Sequence, residues 1–356
     1  MRGLHLGGKM KRVGLAALFL VLSISGGMQF YLTPVVGLAS TTAGLVVIMA
    51  AIYFYLRGER PPILPAALIM WAALGLSTLA NLDIWPVAAG RLLQVAFAIG
   101  ALVVSHRLNV ALIQEALYLA GWVWPWLYLV VSLAGLQNHQ NIIAVWPVFF
   151  ILVGLTGRNW LYLLPNVAAL LWLGSRGALI GLAVGIIVFI YPYIKIKWAA
   201  IYAAPLMVGL VWWRPATAMI RLHYWQKSLN AFVYHPTFGL GPGGLGARHI
   251  IAENNLWVTH AHNVLVTLMA ENGITGLMGL ILALYVLPPL NFDRWQWAIM
   301  AALLAHSMVD EPLWWIGPLV ASAIIFGVNN LPVGLNFYGL RVGLIVVMRL
   351  IYQARR

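Results

Sequence analysis

The sequence predicts an all-α, polytopic integral membrane protein with about twelve transmembrane helices and one structured external loop. Three observations lead there. The 356 residues are 63% hydrophobic and only 8% charged. Apolar runs of about 17–25 residues recur from end to end, the length a helix needs to cross a bilayer core. These runs also lack the alternation of barrel strands, and hydrocarbon tolerates no open structure with unpaired backbone groups.

The spans fall between basic loops, which mark the cytoplasmic side. The first covers about 13–32, behind Lys9, Lys11 and Arg12, and is read as a retained helix because no small-residue cleavage site follows it. The second (35–56) returns to Arg57 and Arg60, the third (62–80) exits near Asn81 and Asp83, and the fourth (85–104) comes back to His106 and Arg107. The fifth runs out to the loop 135–141, and the sixth returns to Gly157 and Arg158. The seventh stops outside at Gly174, Ser175 and Arg176, and the eighth returns to Lys195 and Lys197. The ninth ends at Trp213, where a long external segment (214–261) begins. A tenth span starts near His262 and ends by Pro288, an eleventh reaches Asp310 and Glu311, and a twelfth covers 313–328. The tail 339–356 carries Arg341, Arg349 and Arg356 within roughly 80° of a helical wheel, which suits an interfacial cytoplasmic helix. All of 1–356 reads as one transmembrane domain.

A formal charge of +13 would suggest nucleic acid in a soluble chain; here it marks loops, and no nucleic-acid partner is expected. With no cysteine there is neither a disulfide framework nor thiol chemistry. Polar chemistry concentrates between Arg214 and Glu271, which holds five of the nine histidines. On this topology Arg176, Arg214, Arg221, Lys227 and Arg248 lie outside, against the usual charge bias, and Arg91 falls within the fourth span. Cations kept on that side suit an anionic ligand; the alternative is pairing with Glu253, Asp310 and Glu311 or with lipid headgroups. For Arg176, at membrane depth in SRGALIGL, the ligand is the better reason.

The turn HPTFGLGPGGLG (235–246) is glycine-dense enough for its amides to form an anion nest, or it is simply a flexible turn. It is no P-loop, since no Gly-Lys-Ser/Thr follows. In THAHN (259–263), His262 and Asn263 head the tenth span. Histidine is the usual general base near neutral pH, and helix N-termini attract oxyanions. On a helix His260 and His262 would diverge by about 200°, so His260 is expected to point elsewhere. No Cys or Asp/Glu completes a ligand set with them, so no metal is expected. Glu271 lies about 13 Å deeper along the same span, and an intramembrane carboxylate is a site or a structural lock. There is no DxD pair, no ATP motif and no Gly-x-Ser-x-Gly nucleophile, so energy for a transfer must arrive in an activated donor.

The ordered set SRGALIGL, RLHYW, HPTFGLGPGGLG and THAHNVLVTLMAENGITGL resembles the signature region of the O-antigen ligase superfamily, which also holds O-antigen polymerases and bacterial O-linked protein oligosaccharyltransferases. HSMVDEPLWW (306–315) is similar to a segment common among the last group. The resemblance implies a metal-independent, cofactor-free, inverting glycosyltransferase in the bacterial inner membrane with its active site facing the periplasm. It implies a donor glycan on undecaprenyl diphosphate and an acceptor hydroxyl on lipid A core, on a growing glycan or on a protein. By motif, His262 is the catalytic residue, and Arg176 and Arg221 bind substrate, with Arg248, Arg91, Asn263 and Glu271 as further candidates. A transporter or flippase of a polyprenyl-linked glycan would use the same arginines, and a non-catalytic assembly partner is a third reading. Transporters favour matched inverted halves, and none is visible here.

Overall fold

The computed structural model describes residues 2–28, 49, 52–53, 56, 61–133, 140–157, 159–191, 215–253, 256–287, 290, 292–314 and 316–328. The expected second and ninth spans, Arg214 and the tail 339–356 lie outside the described residues, wholly or nearly so. The rest is helical apart from one small ribbon. The helices are α1 (Arg2–Met28), α2 (Leu64–Ala80), α3 (Trp85–Ser105), α4 (Val110–Leu133), α5 (Val145–Gly154), α6 (Trp160–Leu173), α7 (Arg176–Ile190), α8 (Pro215–Tyr234), α9 (Val264–Val286), α10 (Arg294–Ser307) and α11 (Ile316–Gly327). Strands β1 (Ile251–Glu253) and β2 (Leu256–Val258) pair antiparallel.

Helix α1 begins well before the first apolar run, because the bilayer limits the apolar stretch and not the helix. Among the described residues three helical stretches are long and apolar enough to cross a membrane, Leu82–Ser105, Val110–Leu133 and Val264–Val286, and five shorter ones are apolar. The chain is thus a helical membrane protein, while a count of twelve crossings exceeds what these residues contain. The ends of several helices follow local chemistry. Gly174 closes α6 with φ 61°, and the Ser175 side chain accepts from Ala178 N to start α7.

Helix α5 is the centre of the larger core. All ten of its residues are buried, as a helix that is apolar all round should be. Beside it α7 and α10 approach almost backbone to backbone. A Cβ on Gly181 would stand 2.6 Å from Ala302 O, and one on Gly185 would stand 2.9 Å from Ala298 O. Without a hydrophobic drive between helices in lipid, such small-residue stripes supply the close packing. Gly279 of α9 meets Ala73 of α2 in the same way.

Helix α9 is broken. Gly273 has φ 61° and ψ −153°, a region almost restricted to glycine. The break frees backbone groups, and the 235–246 turn supplies partners for several of them. Ile274 N donates to Pro236 O (2.7 Å), Thr275 N to Thr237 O (3.0 Å) and Leu240 N to Ala270 O (3.0 Å). Ser77 of α2 donates to both Phe238 O and Glu271 O. Gly239 (φ 65°) presses against the Glu271 backbone, where a side chain has no room. Ile274 N, Thr275 N and the Ala270 and Glu271 carbonyls are thus paired, as membrane depth demands.

Candidate functional site

The site grows from the head of α9. The helix does not include THAHN: it begins at Val264, with Asn263 as the cap accepting from Leu265 N and Val266 N. The segment before it is irregular, and His262 sits at φ 56°, the left-handed region that costs a non-glycine residue on the order of 1–3 kcal/mol unless its surroundings hold it. The Asn263 amide also donates to Met308 O at 2.8 Å, tying the head of α9 to the end of α10. Asn263 thus serves the framework on both sides of its side chain.

Because the segment is irregular, the expectation that His260 points elsewhere does not hold. The two imidazole centroids lie 4.4 Å apart, with the Tyr224 ring 5.7 Å from His262 on the α8 side. The partner of His262 comes from 48 residues further on: Nδ1 lies 3.0 Å from Asp310 Oδ1. That oxygen also accepts from Glu311 N (2.9 Å), while Oδ2 faces the Arg221 guanidinium at 3.7 Å. Asp310 is buried, whereas His262 keeps 23% of its side chain exposed. Burial alone would raise the Asp310 carboxyl, but the His262 hydrogen bond and the imidazoles of His262, His306 and His260 outweigh it. They hold the carboxyl well below the usual carboxylate range. A carboxylate on Nδ1 fixes the proton there and leaves Nε2 as the nitrogen with a lone pair.

Helix α8, which the sequence pattern presents as loop, brings Arg221 and Tyr224 to this point. Its buried arc carries Tyr224, Ser228 and Ala231 against α9. From the other side comes the start of α7. A Cβ on Gly177 would stand 2.6 Å from the His306 ring and 3.3 Å from Asp310 Cβ, so the neighbour of Arg176 lies directly against the Asp310 segment. Arg176 itself is buried at the first turn of α7. Residues 221, 262 and 310, from three separate parts of the chain, therefore meet at one end of the bundle, with the start of α7 packed against 310.

The glycine turn does form an anion nest, and the protein's own carboxylate fills it. Gly243 N and Leu245 N donate to Glu271 at 2.9 and 3.3 Å. Glu271 is the lock of the broken helix. Arg91 bonds Gln94 at 2.8 Å, and its charge acts on both Glu271 and Glu311. Arg248 donates to Asn81 (3.0 Å) and pairs with Asp83 (2.9 Å), pinning the loop to the turn between α2 and α3. These contacts place Arg91, Arg248 and Glu271 around the glycine turn. Of the two readings of the turn, anion nest or flexible turn, the amide bonds to Glu271 favour the nest.

His260, His262 and Asp310 bring three ligand-type atoms within 4.8 Å of one another, so a carboxylate does complete a set that the local sequence lacks. The fit to a cation is poor. His262 and Asp310 already bond each other, and Arg221 places positive charge against the same carboxylate. The arrangement suits proton chemistry beside an anion better than chelation.

Apolar helices enclosing a buried carboxylate, an imidazole and arginines at one end define an integral membrane protein with a polar reaction site. Residues 161–281 match the family model described as O-antigen ligase. Over that stretch, about a third of the chain, the match supports the superfamily resemblance of the motifs. The match contains Arg176, Arg221 and His262, and Asp310 lies beyond it. No curated protein matches the chain.

Proposed function

We propose that the protein transfers a glycan from undecaprenyl diphosphate to an acceptor hydroxyl, with inversion at the sugar, on the periplasmic face of the bacterial inner membrane. The observation that carries this reading is the His262–Asp310 pair with Arg221 at 3.7 Å on the same carboxylate. His262 Nε2 takes the proton from the acceptor hydroxyl as its oxygen attacks the anomeric carbon. The bond from that carbon to the diphosphate oxygen breaks, and the electron pair leaves with the lipid diphosphate. Asp310 stabilises the imidazolium that forms. Arg221 and Arg176 meet the growing negative charge of the leaving group, for which the guanidinium fork is well shaped. Lipid A core is the leading acceptor; a growing glycan or a protein hydroxyl fits the same chemistry. On this reading residues 1–356 form one catalytic domain and 214–261 its external loop.

The test is incubation of purified protein in lipid nanodiscs with an undecaprenyl diphosphate-linked glycan and each acceptor class, with products read by mass spectrometry. A glycosylated acceptor and released undecaprenyl diphosphate are expected. Movement of the donor across the bilayer with no product would establish the transporter reading instead.

A further inference from the structure

Glu311 is buried as deeply as Asp310, yet nothing in the transfer chemistry uses it. Its carboxylate accepts from Thr267 Oγ1 at 2.8 Å. The same hydroxyl oxygen accepts from Ala261 N at 3.0 Å. A hydroxyl has one proton to give and lone pairs to receive, so Thr267 serves both partners at once in a fixed direction. Ala261 is the residue between the two histidines and is itself fully buried. The peptide that the relay holds therefore leads directly into His262, whose left-handed backbone needs its surroundings to fix it. Asp310 meanwhile accepts from Glu311 N and binds the His262 ring. The dipeptide Asp310-Glu311 grips one turn twice, by its imidazole and by its backbone.

We propose that Thr267 and Glu311 are positioning residues that fix the 260–262 turn so that the His262 ring meets Asp310 with its proton on Nδ1. The catalytic part of this rests on His262 as the base; the geometric part does not. Burial with a hydrogen bond is also what any satisfied core threonine shows. The difference is that this relay ends on the backbone amide beside His262, so its loss is felt at a ring that neither Thr267 nor Glu311 touches.

The primary experiment is independent of substrate. In full-length protein labelled with 15N-histidine, in detergent, long-range 1H–15N correlations report the tautomer of each ring. The His262 signal is assigned by its absence in His262→Gln. Wild type is expected to show the Nδ1–H form. Thr267→Val and Glu311→Leu, which break the relay, are expected to average both tautomers. Thr267→Ser and Glu311→Gln keep an acceptor and a donor in place and should restore the wild-type signal. Should Thr267→Val fail to fold, the Glu311 pair decides alone. A wild-type tautomer retained in the relay-breaking variants overturns the proposal, as does a wild-type ring without the Nδ1 proton.

Transfer assays then separate the two claims. A misplacement of this kind costs up to about 10²-fold, so Thr267→Val should lower kcat by about 10- to 100-fold and leave KM for the donor unchanged. In an Asp310→Asn background, where the ring proton already sits on Nε2, the same substitution should add little. Full additivity there would mark Thr267 as merely structural. An active His262→Ala protein would instead remove His262 as the base, while the tautomer measurements on the relay would stand.

Discussion

Replacing Asp310 by Asn tests the proposed chemistry with the least disturbance of shape. Asn is nearly isosteric, but only one of its two terminal atoms accepts, whereas one Asp310 oxygen serves both His262 Nδ1 and Glu311 N and the other faces Arg221. Turning the amide oxygen toward the Arg221 guanidinium, where an NH2 group would meet like donors, puts Nδ2 against His262 Nδ1 as a donor. That contact requires a lone pair on Nδ1 and moves the ring proton to Nε2, where a base needs its lone pair. Losing a general base costs about 10²–10⁴-fold, or about 2.7–5.5 kcal/mol at 1.36 kcal/mol per tenfold. Arg221, at 3.7 Å from the lost charge, becomes more available to an anion. The full cost should therefore fall on kcat, with donor KM unchanged or lower. The assay is single-turnover transfer from a defined undecaprenyl diphosphate-linked glycan in nanodiscs between pH 5 and 8. Within that range Asp310 itself does not titrate. Its carboxyl is held below the usual range, so its partnership with His262 is present above the ordinary carboxylate pKa and is lost only as pH falls well beneath it. The wild-type advantage should thus not disappear through Asp310 as the pH approaches 5. A folded Asp310→Asn protein turning over at the wild-type rate would refute the tautomer argument.

Three further outcomes are expected. Arg221→Ala and Arg176→Ala should each weaken donor binding by roughly 10–150-fold, the equivalent of about 1.5–3 kcal/mol for a charge-assisted contact, and Lys should restore only part of it; unchanged affinity in both would take them out of the site. Lys227, exposed on α8, converted to Cys in this cysteine-free chain should react with an impermeant maleimide in intact spheroplasts, and protection would reverse the orientation of the site. Gly181→Ala places a methyl 2.6 Å from Ala302 O, where overpacking typically costs about 1–3 kcal/mol; an unshifted melting temperature would mean that the α7–α10 contact yields more readily than its backbone spacing implies.

The spans are the legible part of the fold, because their signal is local. The fourth is expected over 85–104 and α3 is Trp85–Ser105; the third is expected over 62–80 and α2 is Leu64–Ala80. Helix α8 is hidden because its arginine, lysine and histidine speak for a loop, although Pro215 at its first position is a start signal. Within the site, the arginines and His262 are visible as residue types in unusual places. Asp310 reads as the end of a span, since nothing local shows that it folds back 48 residues to His262. His260 is misplaced by a single assumption, that the helix already runs through THAHN, whereas it starts at Val264. The glycine turn signals an anion correctly, but the anion is Glu271, and no spacing rule reveals which carboxylate a nest will hold.

The docking of the turn into the α9 break has a consequence for how the protein is made. Thr275, which closes the dock with its amide and its hydroxyl, follows Thr237 by 38 residues. At about 5–20 residues per second the loop is synthesised seconds before its receptor exists. Its amides and carbonyls must wait until the span carrying Gly273 has entered the bilayer and broken. Asp310 arrives later still. The ribosome thus delivers the arginines first, the imidazole next and its partner last, so on the proposed chemistry no transfer can occur until Asp310 is in place. Chains truncated before residue 310 should insert yet stay inert, a built-in order of assembly that needs no separate activating step.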